Sequence, residues 1–134
     1  MFKIELRQIP RYYKNNGQHA EQVARFTLTG KIERADNRPF TAGGDIGGLQ
    51  VKSARATVCK GTDLQDHFKR DGATSYGYVT SDFRTMYIMD RIEYAWFVIE
   101  FGTITRDSRE NGGQTKMRLK HETDTMREWL ESRV

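Results

Sequence analysis

The sequence predicts an α/β fold in which a mixed β-sheet is flanked by helices, and three observations carry that expectation. Polar and apolar residues alternate near the N-terminus, as they do along a half-buried strand. Two mid-chain segments, Tyr76 to Thr80 and Thr85 to Met89, are rich in the aromatic and β-branched residues that strands favour. Between and after them, apolar residues recur at helical spacing behind recognisable caps. At 134 residues the chain fits one domain, long enough to bury a modest core without disulfides.

The elements follow in order. Phe2, Ile4 and Leu6 alternate with Lys3, Glu5 and Arg7, which predicts a first strand that Pro10 brings to an end. After Asn15-Asn16-Gly17, the residues Ala20, Val23, Ala24 and Leu28 share one helical stripe and Gly30 terminates it, so a helix is predicted from about Gln18 to Thr29. A β segment near Pro39 to Asp45 follows. Gly47-Gly48 then separates it from a single long strand, Leu49 to Cys59. The polar stretch Lys60 to Ser75 reads as a loop.

Ser81-Asp82 supplies the turn of a hairpin between the two mid-chain strands. Asp90 and Glu93 then form a capping box, and Ile92, Ala95, Trp96 and Ile99 make the apolar stripe of a second helix that ends near Gly102. Thr103 to Thr105 and Lys116 to Lys120 are predicted as hairpin arms, with Asn111-Gly112-Gly113 in their connection. Met126, Trp129 and Leu130 mark a short closing helix. On these stripes Trp96 and Trp129 are expected in the core.

Only 37% of the residues are hydrophobic and 30% are charged, so the apolar groups must be concentrated in a few elements. Lys and Arg total 22 against 18 Asp and Glu, a net charge of +4 that favours a polyanionic partner. Cys59 is the only cysteine, which excludes an intramolecular disulfide and a cysteine-rich zinc cluster. It ends the predicted long strand and is expected to be packed and inert. His19, His67 and His121 stand at no zinc-ligand spacing. No apolar run approaches the roughly 18 residues of a membrane span, and no signal-peptide core opens the chain, so a soluble, cytoplasmic protein is expected.

One short stretch carries the residues of a hydrolytic site. Cleaving a phosphodiester near neutral pH calls for a metal that neutralises the phosphate and lowers the pKa of water, with a cation nearby for the developing charge. Asp45 offers a hard oxygen ligand at a strand end, the kind that suits magnesium. Gln50 and Lys52 stand two apart on the next strand, so both project from the same face. Ala54, Ala56 and Val58 are expected to pack beneath them on that face.

Gly44-Asp45-Ile46 followed by Leu49-Gln50-Val51-Lys52-Ser53 resembles the D…(D/E/Q)xK core of PD-(D/E)XK nucleases. Upstream, Gly17-Gln18-His19-Ala20-Glu21 through Leu28-Thr29-Gly30 is similar to the helix that precedes this core and carries its acidic residue. The resemblance implies a restriction-endonuclease-like core and a magnesium-dependent endonuclease acting on DNA, with manganese able to substitute. It implies Asp45 as the main metal ligand, Gln50 as the second, the Val51 carbonyl as a backbone ligand and Glu21 as an acid binding through water. Lys52 would orient or activate the attacking water. Most members place Asp or Glu where this chain has Gln50; the Mrr-type branch places Gln there, and Glu21 restores a second carboxylate. The other readings are a binding module that has lost catalysis and an RNA-cleaving toxin domain. A domain this small is expected to act as a homodimer or through a recruiting partner.

Two groups of basic residues are candidates for gripping phosphates, Lys60, His67, Lys69 and Arg70 in the loop directly after the motif strand and Arg106, Arg109, Lys116, Arg118 and Lys120 around the later hairpin, together with Arg25 on the first helix. Asp63, Asp66, Asp71, Asp107 and Glu110 are interleaved with them, so ordinary solvated loop charge is the competing reading. Likewise Glu21 and Arg25 stand at the spacing of a plain helix ion pair, and Lys52 as a solvated strand charge.

Overall fold

The structure is a computed structural model that describes residues 1–32, 46–106 and 114–134. Among these residues seven strands and four helices alternate along the chain, a mixed α/β arrangement. β1 (Phe2–Glu5) leads into α1 (Asn16–Thr29), whose Asn15 side chain caps the first turn and whose Gly30 closes the last at φ 72°. β2 (Leu49–Lys52) and β3 (Thr57–Lys60) precede α2 (Leu64–Asp71), β4 (Ser75–Val79) and β5 (Thr85–Asp90). α3 (Arg91–Phe101), β6 (Gly102–Arg106), β7 (Thr115–Leu119) and α4 (Asp124–Glu131) complete the chain.

The strands form two sheets where the sequence predicts one. The first runs β1-β5-β4-β2 and the second β3-β7-β6. The first is mixed: β1 and β4 lie antiparallel to β5, while β2 runs parallel to β4. A parallel pair needs a crossover, and β3 with α2 provides it. On one face of this sheet Leu49, Val79 and Met86 pack with Ala20, Val23 and Ala24 of α1. The other face gives Tyr76, Tyr78, Tyr87 and Met89 to a larger core, shared with α3, α4 and the second sheet.

Several expectations need correction. The single strand from Leu49 to Cys59 breaks in two, because Ala56 N–H donates to the Ser53 carbonyl across a turn that holds Arg55 at φ 68°. Ala54 and Ala56 therefore do not continue the face of Gln50 and Lys52, and Val58 is buried in the second sheet. The predicted loop after Lys60 contains α2, started by Asp63 accepting from the Gln65 and Asp66 amides and stopped by Gly72 at φ 67°.

In α3 the buried stripe is Tyr94, Phe97 and Val98, while Ile92, Trp96 and Ile99 are 72%, 62% and 61% exposed. The helix is apolar on both sides, and the larger aromatic set wins the core. Tyr94 stacks on Tyr76 with ring centroids 3.8 Å apart, and Phe97 meets Tyr78, Phe101 and Trp129. Trp129 is half-buried in this cluster, with the Arg133 guanidinium over its outer face. Leu28 is largely exposed. The predicted 103–105 and 116–120 hairpin forms as β6 and β7 in antiparallel register. The expected β segment at Pro39 to Asp45 and the Asn111-Gly112-Gly113 connection lie outside the described residues.

Candidate functional site

The register of the parallel pair decides where the motif points. Gln50 stands opposite Tyr76 and Lys52 opposite Tyr78, so both project to the face of the large core, whereas Leu49 packs on the α1 side and Val51 shares its face. β2 is the last strand of the described sheet, and β3 and α2 stand against it on that face. There Gln50 and Lys52 line a pocket of about 170 Å³ together with Lys60 of β3 and His67, Arg70 and Asp71 of α2. Three of the sequence-predicted phosphate contacts, Lys60, His67 and Arg70, thus join the predicted motif residues.

Each lining group has a definite local role. Lys52 Nζ donates to the Thr57 carbonyl at 3.0 Å and so ties the end of β2 to the start of β3. Asp71 is buried, its Oδ1 accepting from the Ala73 amide at 2.8 Å and its carboxylate from the Tyr76 hydroxyl at 2.9 and 3.0 Å. Burial, reinforced by that bond, holds the Tyr76 phenol well above its ordinary pKa, so it stays a donor. Arg70 reaches back to Asp66 at 3.0 Å in an exposed pair that contributes little to stability.

The sequence offers His67 only as a candidate phosphate contact in a predicted loop and does not single out Asp71; α2 brings both to the pocket. His67 is buried, and its Nδ1 accepts the Lys60 amide proton at 3.2 Å. With Nδ1 an acceptor, a neutral ring carries its proton on Nε2, which lies 3.2 Å from Asp71 Oδ2 without hydrogen-bond geometry. Burial lowers the His67 pKa against the upward pull of Asp71, and Lys52, Lys60 and Arg70 lower it further. The imidazole is therefore neutral near pH 7. Burial, and then the charges of Asp63 and Asp66, push the Cys59 thiol up; it is free, buried and unreactive.

The remaining predicted residues fall elsewhere. Glu21 and Arg25 pair with each other along α1 at 3.1 Å, the geometry of an ordinary helix ion pair, and neither lines the pocket. α1 packs on the opposite face of the sheet from Gln50. Val51 pairs with Gly77 in the parallel ladder. Lys69 is exposed in the last turn of α2, where its charge complements the helix dipole. Arg106 is exposed at the end of β6, and Lys116 is half-buried on β7 beside Lys60. Asp45 and Arg109 lie outside the described residues.

Among the described residues no three His, Cys, Asp or Glu side chains gather as a metal site. The pocket offers one amide oxygen, from Gln50, and one carboxylate already accepting several hydrogen bonds. These donors alone do not fit a divalent cation, whereas Lys52, Lys60 and Arg70 suit an anion. No described helix is long and apolar enough to cross a membrane. Comparison of the chain with protein-family models, with curated proteins and with solved structures finds no match.

Proposed function

We propose that this chain binds the phosphate backbone of DNA at the Gln50–Lys52 pocket and hydrolyses it as an endonuclease of the PD-(D/E)XK type. The observation that carries the reading is the pocket itself: the two motif residues on β2 converge with two further cations and a neutral imidazole around a cavity holding a single, already hydrogen-bonded carboxylate. A phosphodiester is the ligand such charge fits. Lys52, Lys60 and Arg70 neutralise it, and the Gln50 amide orients it. The β2-to-β4 crossover supports a restriction-endonuclease-like core, because it sets the motif strand parallel to its neighbour with a helix between.

The reading calls for magnesium, with manganese as a substitute. Of the ligands the resemblance implies, Gln50 lines the pocket and Val51 is on the same strand, whereas Glu21 lies on α1 across the sheet, so Asp45 is decisive for the reading because the described donors do not suffice. The shortage of such donors favours one second reading, a module that binds nucleic acid without cutting it. DNA is the proposed substrate and a cytoplasmic setting, in restriction, repair or a mobile element, the proposed context; an RNA-cleaving toxin domain is the variant of the reading that RNA substrates test. A homodimer is proposed in which the exposed Ile92, Trp96 and Ile99 of α3 face a second copy.

The test is cleavage of supercoiled plasmid, methylated and unmethylated, with magnesium or manganese, comparing wild type with Asp45→Ala and Lys52→Ala. Metal-dependent nicking that both substitutions abolish is the expected result. If DNA and RNA stay intact with wild type and variants alike while binding persists without metal, the chain is a binding module.

A further inference from the structure

The second sheet carries a surface that the pocket does not use. β7 reads Thr115-Lys116-Met117-Arg118-Leu119, and Lys120 follows directly. Met117 and Leu119 face the core, so Lys116 and Arg118 point outward, and Lys120 continues their row. The register sets Thr105 and Thr103 beside them on β6, and Lys60 and Thr57 beside them on β3. The three strands contain no Asp or Glu and no aromatic residue.

Lys60 and Lys116 are directly opposed across two strands, so both extend the positive row. Arg55 stands at the other end of it and holds φ 68°, where glycine is the usual residue. Its carbonyl accepts from Arg118 Nε at 3.2 Å and Nη2 at 3.0 Å, which fixes that guanidinium at the mouth of a groove. The groove is about 320 Å³, open, and lined by Arg55, Arg118, Lys120 and His121 with Thr103 and Thr105. Arg55, Arg118 and Lys120 thus gather at the groove and Lys60 with Lys116 at the other end of the paired strands, a row of positive charge that a polyanion matches.

We propose that this face holds the backbone of duplex nucleic acid and feeds it to the pocket, with Lys60 belonging to both surfaces. The proposal rests on the nuclease reading for its purpose but not for its evidence. Lys116, Arg118 and Lys120 recur every second residue, about 6.7 Å apart along the strand. Each step spans roughly two phosphates' worth of the ~3.4 Å axial rise of one strand. Single-stranded sites rely on aromatic platforms for stacking, and β3, β6 and β7 have none, so the occupant is a duplex held by its phosphates regardless of sequence.

The experiment is fluorescence anisotropy of a labelled duplex of mixed sequence, titrated without divalent metal at several salt concentrations. Removing two phosphate contacts in Lys116→Ala/Lys120→Ala is expected to reduce the salt slope of log K by about 1.8, and Arg55→Gly by about 0.9. Arg55→Gly suits the turn, so its effect is not a folding defect, and Lys116→Arg/Lys120→Arg is expected to restore the wild-type slope. An unchanged slope in the alanine pair overturns the proposal, as does tighter wild-type binding of the matching single strand. The plasmid assay separates the two readings. Cleavage by wild type with an unmoved slope removes the surface and leaves the nuclease; a lost slope with no cleavage removes the nuclease and leaves the surface.

Discussion

Replacing Tyr94 by phenylalanine removes one oxygen from the centre of the larger core, and the structure says what that oxygen does. Between β3 and β7 the register passes from Thr57–Arg118 to Cys59–Met117, so Val58 sits in a bulge outside the regular ladder. Its carbonyl accepts from the Tyr94 hydroxyl at 2.7 Å, and both residues are fully buried. The ring itself stays stacked on Tyr76 in Tyr94→Phe, so the loss is confined to the hydrogen bond. Stranding a buried carbonyl costs about 1–3 kcal/mol. With an unfolding entropy of ~2.1 cal/mol/K per residue, this length of chain converts that cost to a fall in Tm of roughly 4–11 °C. Tyr87→Phe is the control: its hydroxyl donates at 2.6 Å to the exposed end of Glu131, where water replaces it, and a fall of about 3 °C or less is expected. Calorimetry at pH 7 checks both. Equal losses in the two variants, or a loss under about 0.5 kcal/mol for Tyr94→Phe, would refute the argument that the bulge depends on this bond.

Two further outcomes are expected. Acidification should destabilise the protein from about pH 6.5 downward, because burial holds the His19 and His67 pKa values below that unfolded value. In that window the unfolded chain binds more protons, so stability is full above pH 6.5 and is lost as pH falls; urea midpoints at fixed ionic strength should drop less steeply in His19→Gln and less again with His67→Gln added. Trp96→Ser should change monomer stability by no more than about 0.5 kcal/mol, since the ring is 62% exposed, whereas a core tryptophan would cost several. A loss above about 2 kcal/mol at dilute concentration would return the stripe to the core.

What the sequence makes legible depends on whether one physical signal or two compete at a position. α1 and the Asp90 capping box are readable because polar caps and helical periodicity agree there; Asn15, Gly30, Asp90 and Glu93 do in the fold what their types suggest. α3 has two apolar stripes, and periodicity cannot choose between Ile92-Trp96-Ile99 and Tyr94-Phe97-Val98. The choice is made by Tyr76 and Val58, which are far away in sequence. α2 stays hidden for the converse reason: its inward face mixes His67 and Asp71 with a single apolar pair, Leu64 and Phe68, too short a period to stand out, although Asp63 and Gly72 bracket it as caps. The break after Lys52 is invisible because Arg55 stands where a turn of that handedness usually has glycine.

That last feature connects the two surfaces. Because the chain turns at Ser53 to Ala56 instead of running on as one strand, β2 stays in the first sheet and β3 joins the second. Lys52 is thereby left at the carboxyl end of a parallel strand, the end at which open α/β sheets bind their ligands. The same turn presents Arg55 to the groove and lets Lys60, on β3, border both the groove's sheet and the pocket. A straight strand from Leu49 to Cys59 would keep Gln50 and Lys52 on one face but would carry Lys60 away in the plane of the first sheet, leaving the pocket without its far wall. The strained turn is thus what brings three cations together at a two-residue motif, and it is why Arg55→Gly, which eases the turn without straightening it, should spare the pocket while weakening the groove.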